Sequence, residues 1–402
     1  MFARKWWKVG VALGVTIPAL LARWMGAEFG PLLCMATFGG AIVAAAFILS
    51  WAAEAVQEDI SASLATAILA LIAMLPEYGV DLYFAFSAGH IPEHTKYAAA
   101  NMTGSNRLLL GLGWPLMLGL FMFWGRRRNT KVTQIQLKPQ RRVELGFLAL
   151  ASLYSLTIPF RHGIHLMDGF VLLGIFLAYT WRVSKEEHTE PELEGIAQDL
   201  GSLPRGLRRA VLTGLFLWSA LVIVLVAEPF AKSLISGGKA LGLDEFLLVQ
   251  WIAPLATEAP EFLVAAILAF KGDQDTALGT LLSSKVNQWT LLVGSLPIAY
   301  IAGGGHQGIP FDARQIEEFW LTAAQTLMGF AMLSKLNLRR WEALALFLLF
   351  DLQFPFPQRE VRIGFAWLYG FIAVVILLRH WRELPLIARS FLPGRRDMAG
   401  GR

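Results

Sequence analysis

Long apolar runs constrain this chain more than any motif, because a bilayer core of roughly 30 Å asks for about 20 consecutive apolar residues per helix. Twelve such runs are legible, at about 9–24, 31–56, 61–88, 97–124, 143–160, 165–181, 211–235, 246–270, 276–302, 319–333, 341–354 and 363–378. Composition agrees with them: 55% of the 402 residues are hydrophobic and only 16% are charged, too little polar surface to cover a soluble enzyme of this length. The formal charge of +5 sits in short basic blocks between the runs, which points to membrane orientation rather than to nucleic acid. Cys34 stands alone and can form no internal disulfide. An all-α polytopic membrane protein with about 12 transmembrane helices is predicted, its partners being the lipid bilayer and inorganic cations.

The basic residues fix an expected orientation. With the N-terminus in the cytoplasm, Arg126, Arg127, Arg128, Lys131, Lys138, Arg141 and Arg142 fall on the cytoplasmic side. So do Lys335, Arg339, Arg340 and the tail with Arg382, Arg389, Arg395 and Arg396. The opposite loops hold scattered Lys96, Arg161, Lys239, Arg314, Arg359 and Arg362. Arg23 closes the first run with no small-residue cleavage site after it, so a retained helix is expected there rather than a cleaved signal peptide. The stretch 183–209, with Pro191, Gly201 and Pro204, reads as a cytoplasmic linker between halves. The organisation expected is an extra helix in 1–30, repeats in 31–182 and 210–357, the linker between them, and a last helix with a basic tail in 358–402, all in the plasma membrane.

The two halves carry the same polar signature. Leu75-Pro76-Glu77 interrupts one apolar run and Asn101 to Asn106 follows in the next; Ala259-Pro260-Glu261 and the stretch Gly279 to Lys285 repeat the pattern. By the loop assignment the Glu77 helix runs outward and the Glu261 helix inward, so the repeats are inverted, an arrangement that puts transport sites at the repeat junction. Proline within a membrane helix frees a backbone carbonyl, and a carboxylate beside it must face the protein interior. Two such glutamates, with carbonyls and Ser/Asn side chains around them, make the oxygen cage that hard cations require.

These residues resemble the cation/calcium antiporter superfamily, typified by sodium/calcium exchangers, whose repeats carry Gly-Thr-Ser-Leu-Pro-Glu and Gly-Asn-x-x-Gly-Ser-Asn blocks. Leu75-Pro76-Glu77, Asn101 and Gly104-Ser105-Asn106 match the first repeat; Thr257, Ala259-Pro260-Glu261, Gly279 and Ser284 match the second, and Glu228 stands where the family has an aspartate. The resemblance implies two inverted five-helix repeats plus one extra helix at each end, and a secondary active antiporter exchanging Ca²⁺ or Na⁺ by alternating access, with no enzymatic activity and no cofactor beyond the transported cation. It implies cation ligands at Glu77, Glu261, Ser105, Asn106, Thr257 and Ser284, with the two glutamates as the metal-binding acids. The long helices around Glu54 and Glu228 are expected to slide past the core.

Departures from the pattern bear on coupling. Ile72-Ala73-Met74 replace the hydroxyl block of the first repeat, Glu258 replaces a serine in the second, and Lys285 replaces an asparagine. A buried lysine among acids pairs with them or loses its proton, so Lys285 and Glu258 are expected to tune the site, with Asp81 one turn beyond Glu77 either on the ion path or near the interface. Exchange of monovalent cations against protons, and a non-transporting scaffold plugged by Lys285, are the alternatives. Structural readings stand beside the site: Glu77 and Glu261 as acids paired with Lys285 or Arg107, and Ser105, Asn106 and Ser284 as interhelical hydrogen bonds. Glu54, Glu58 and Asp59 are expected to be solvated. His90-Ile91-Pro92-Glu93-His94 matches a zinc-protease pattern, but Pro92 opposes the helix such a site needs.

Overall fold

The computed structural model of the protein describes residues 2–26, 30–59, 75–127, 131–185, 193, 195–353, 356 and 358–392. Over its described part every apolar run is helical. In chain order the helices are α1 (Phe2–Met25), α2 (Pro31–Val56), α3 (Leu75–Ala88), α4 (Thr95–Leu108), α5 (Trp114–Arg127), α6 (Arg142–Ser155), α7 (Leu166–Val183) and α8 (Gly195–Gly201). There follow α9 (Arg205–Leu241), α10 (Glu245–Thr257), α11 (Ala259–Lys271), α12 (Gln274–Asn287), α13 (Val293–Ala302), α14 (Ala313–Leu333), α15 (Arg340–Asp351), α16 (Arg359–Arg379) and α17 (Leu384–Arg389). Single π-helical turns join α4 to α5 (Leu109–Gly113) and α12 to α13 (Gln288–Leu292).

By length and hydropathy alone, 7 described helices can cross a membrane, or 8 if the bent pair α10 and α11 counts as one span. One of the other runs falls short for a physical reason. Helix α14 buries Gln315, Glu317, Glu318, Thr322, Gln325 and Thr326, so its polar face packs on protein while its mean hydropathy drops.

Contacts divide the chain into two compact units, one of Met1–Phe84 with Val183–Pro260 and one of Ala85–Arg182 with Glu261–Arg402. In the first unit α9 lies along α2, and α1 packs on both. Val9, Ala12, Ala44, Ile48, Ala52, Leu212 and Leu215 form an apolar seam there, with small residues allowing close approach. Arg23 of α1 bridges Glu228 of α9 at 2.7 Å, and Lys232 reaches the same carboxylate at 2.7 Å.

Asp59, expected in solvent, is half-buried and paired with Arg208, whose guanidinium donates to its two oxygens at 2.7 and 3.0 Å. These bonds hold the Asp59 carboxyl down at about 2, against an ordinary value of 3.8. A carboxylate whose folded value is depressed contributes stability that is fully present above the unfolded value and lost as pH falls through the folded one. Thermal melts of the wild type should therefore lose this contribution between about pH 4 and pH 2, and Asp59→Asn should flatten that part of the profile; equal slopes in both proteins would contradict the pairing.

The second unit is internally two-fold. Strand β1 (Gln134–Gln136) pairs antiparallel with β4 (Asn337–Arg339), and β2 (Gly163–His165) with β3 (Gly308–Pro310). Advancing the chain by 174 positions turns Gly163 into Asn337 and Gln134 into Gly308, and it converts one register into the other residue by residue. The left-handed His162 (φ 56) likewise maps onto Leu336 (φ 59), and the ion pair Arg161–Asp168 onto Lys335–Glu342. Close backbone approach also fixes the ends of α3 and α13: a Cβ on Gly303 would lie 1.8 Å from the Phe86 carbonyl oxygen, so only glycine fits.

Candidate functional site

Pro76 and Glu77 stand at the beginning of the described part of α3, and residues 60–74 before it lie outside the described residues. The second Pro-Glu sequence interrupts its run by starting a new helix: Pro260 and Glu261 sit in the first turn of α11. Proline costs nothing there, because the amide it lacks would have no intrahelical acceptor, and the positive helix end favours a carboxylate. The interruption of this run is a helix junction: α10 ends at Thr257, Glu258 takes the cap position with its N–H on the Pro254 carbonyl at 2.9 Å, and α11 leaves at 52°. Carbonyls at the end of α10 and first-turn amides of α11 are the backbone groups such a junction offers to an ion.

Burial separates the predicted residues. Glu77, Thr257 and Glu258 are buried and Asp81 is fully so; Glu261 is half-buried. The Thr257 hydroxyl donates to the Ala253 and Pro254 carbonyls at 3.2 and 3.3 Å. Ile72-Ala73-Met74 lie outside the described residues.

In the second unit the structure brings Asn106 and Lys285 together. The Lys285 ammonium, with no solvent exposure, donates to the Asn106 backbone oxygen at 2.7 Å and to its Oδ1 at 2.8 Å, and lies 5.1 Å from the Trp289 ring centre. Asn106 Nδ2 in turn donates to the Met102 carbonyl at 2.9 Å, and the Ser105 hydroxyl to the same oxygen at 3.2 Å. Asn106 and Lys285 are 179 positions apart, the same separation as the starts of α4 and α12 and of the two π turns. They are therefore repeat equivalents that meet each other. A π turn three residues later in each copy relaxes the helix where functional sites commonly use one. Ser284 is buried beside Lys285 in the chain, and Asn101 is fully buried with neither amide atom hydrogen-bonded among the described residues.

Sequence reasoning missed the partners of Arg107. Its guanidinium pairs with Glu318 and bonds Gln353, which bonds Tyr369 of α16. Glu318 is the 174-position equivalent of Glu144, another buried acid, bonded by Arg141 at 2.8 Å; aligning the halves at that offset would have exposed the pair. The zinc-protease pattern dissolves into a 3₁₀ turn at Pro92–His94, with His94 Nδ1 on the Ser87 hydroxyl at 2.7 Å.

Comparison with known proteins identifies the family. The profile of the family described as sodium/calcium exchanger protein matches residues 30–185 and 211–353. The chain belongs to that family. Among solved exchangers, the H⁺/Ca²⁺ exchanger CAX is 38% identical, covers 99% of this chain and 100% of its own, and superposes with a TM-score of 0.92. The shared fold thus includes α1 and α16, which lie outside the matched family segments. YfkE (17% identity, 90% of this chain and 99% of its own, TM-score 0.61) and the sodium-calcium exchanger NCX_Mj (16%, 86% and 99%, TM-score 0.50) share the fold alone. The putative antiporter CaxA of Alkalimonas amylolytica is 32% identical over 42% of this chain, an alignment that spans 44% of that relative's length. Exchanger membership makes the chain an integral membrane protein that transports inorganic cations, in the class of transporters rather than enzymes.

Proposed function

We propose that this chain is a calcium/proton antiporter of the plasma membrane, N-terminus inside, with two inverted repeats contributing to one acidic site. The observation that carries the reading is the Lys285 to Asn106 contact. The Asn106 oxygen, a ligand in the family pattern, is engaged by a buried ammonium at 2.8 Å and is removed from a sodium cage. A fixed positive charge of this kind takes over the electrostatic role of one bound sodium, leaving carboxylates as the exchanging groups. Calcium and protons then compete for Glu77 and Glu261, with Thr257, Ser105 and Ser284 supplying neutral oxygens and Glu258 and Asp81 adjusting the charge. Likeness to CAX over nearly the whole chain supports the same coupling. The long helices α2 and α9, which belong to the first unit with α1, are the elements assigned to alternating access.

The test is flux in proteoliposomes containing a calcium indicator and a pH dye. A proton gradient should drive calcium uptake with protons moving in the opposite sense, and a sodium gradient at clamped pH should drive none. Sodium-driven uptake would make the chain a sodium/calcium exchanger with Lys285 as a packing residue. Folded protein that moves neither calcium nor a monovalent cation would favour the plugged scaffold.

A further inference from the structure

A cavity of about 310 Å³ opens beside the C-terminal half of α16, and its walls divide by chemistry. One wall is apolar, built from Phe371, Ile372, Val375 and Ile376. Phe371 and Val375 continue outward into the exposed stripe of Val374 and Leu378, and α16 is the least buried of the described spans. Lys335, Arg339, Arg379 and His380 make the other wall, with Glu342 as its lone acid.

Glu342 is already engaged: Lys335 pairs with it and the Arg339 N–H donates to it at 2.8 Å. Arg339 and Arg379, both exposed, make no ion pair among the described residues, so their charges face the cavity mouth uncompensated. Their convergence is felt by Lys335, whose proton affinity falls through burial and, further, through Arg339 and Arg379, despite the opposing pull of Glu342. The same wall holds the start of α15, 12 residues long, whose first-turn amides favour an anion. Trp341 on the rim and Trp381 nearby are exposed, as aromatic residues at a membrane–water interface are. Pairing of β1 with β4 sets Lys131 and Lys138 at the same end of the unit, the end that the positive-inside bias assigns to the cytoplasm.

We propose that this cavity binds an anionic phospholipid of the adjoining leaflet, its phosphate held by Arg339 and Arg379 and an acyl chain lying along Phe371 and Val375. Uncompensated basic side chains alone would suit any phosphate. Their continuity with a lipid-facing apolar furrow at interface depth selects a lipid.

The test uses the full chain in a neutral detergent, titrated with phosphatidylglycerol, phosphatidylcholine or inorganic phosphate, reading retained lipid by native mass spectrometry and the melting temperature. Phosphatidylglycerol should be retained saturably and raise the melting temperature, phosphatidylcholine and inorganic phosphate should not, and Arg339→Gln/Arg379→Gln should weaken retention about tenfold. Arg339→Lys/Arg379→Lys should keep it, which separates lost charge from misfolding, and Arg205→Gln, at an exposed position of the first unit, should behave as wild type. Undiminished retention by a folded double glutamine variant, equal retention of phosphatidylcholine, or an equal shift with inorganic phosphate would each overturn the proposal.

Discussion

Proteoliposomes carrying Glu77→Gln or Glu261→Gln are expected to take up calcium at no more than about a hundredth of the wild-type rate, since removing one charged ligand from an ion it holds costs about 3 kcal/mol. Each carboxylate follows a proline on a helix, so it is carried by backbone that the substitution leaves intact. Glutamine keeps the shape and one oxygen and loses the charge that a divalent ion needs and a proton competes for. Elution as a single symmetrical peak and an unchanged melting temperature would establish that the variants fold. Glu228→Gln is the informative contrast. That carboxylate is part-exposed and already held by Arg23 and Lys232, so under proton coupling its loss should change the rate less than about twofold. Normal flux in both Glu77→Gln and Glu261→Gln would dismiss the acidic site; a collapse in Glu228→Gln would return a sodium-type role to that position.

What the sequence disclosed follows from the range over which each signal acts. Apolar runs are local, and the helix over residues 31–56 has the bounds the run predicts because Pro31 starts it and polarity ends it. The Pro-Glu signatures are local as well, which is why they were legible; the form of the break at Pro260 was not, because a proline that kinks a helix and one that starts a helix share the same sequence. Contacts between distant residues left no such trace. The partners Gln134 and Arg339 in the strand pair, or Asp59 and Arg208 in the ion pair, are separated by whole repeats, and no periodicity announces them. Polar helices are marked more weakly: the run at 319–333 announces α14, but its first turns with the buried Glu317 and Glu318 lie outside that run. The sequence marked Lys285 as a buried lysine of the site, and two of its bonds go to Asn106, its own repeat equivalent. That contact became predictable only once the 179-position repeat was seen in the π turns as well as in the motif.

Lys285→Asn should convert the coupling. Asparagine withdraws the ammonium from the Asn106 oxygens, now bonded at 2.7 and 2.8 Å, and restores a neutral oxygen at the position where the family pattern has one. Sodium-driven calcium uptake at clamped pH should then rise about tenfold above background, while protons moved per calcium decline, a change within the usual range of coupling energies between linked sites. Lys285→Met separates the two effects of that substitution. It removes the charge, fills a similar volume between Asn106 and Trp289, and supplies no oxygen, so proton coupling should weaken without any sodium-driven uptake. Because a buried ammonium is stable only when its donors are satisfied, neither substitution should destabilise the fold as Asn106→Leu would, since that change leaves the lysine in place and removes the side-chain acceptor it needs. If Lys285→Asn still moves protons with calcium at the wild-type ratio and ignores sodium, then coupling resides in the carboxylates alone and the lysine serves to hold the two repeats together.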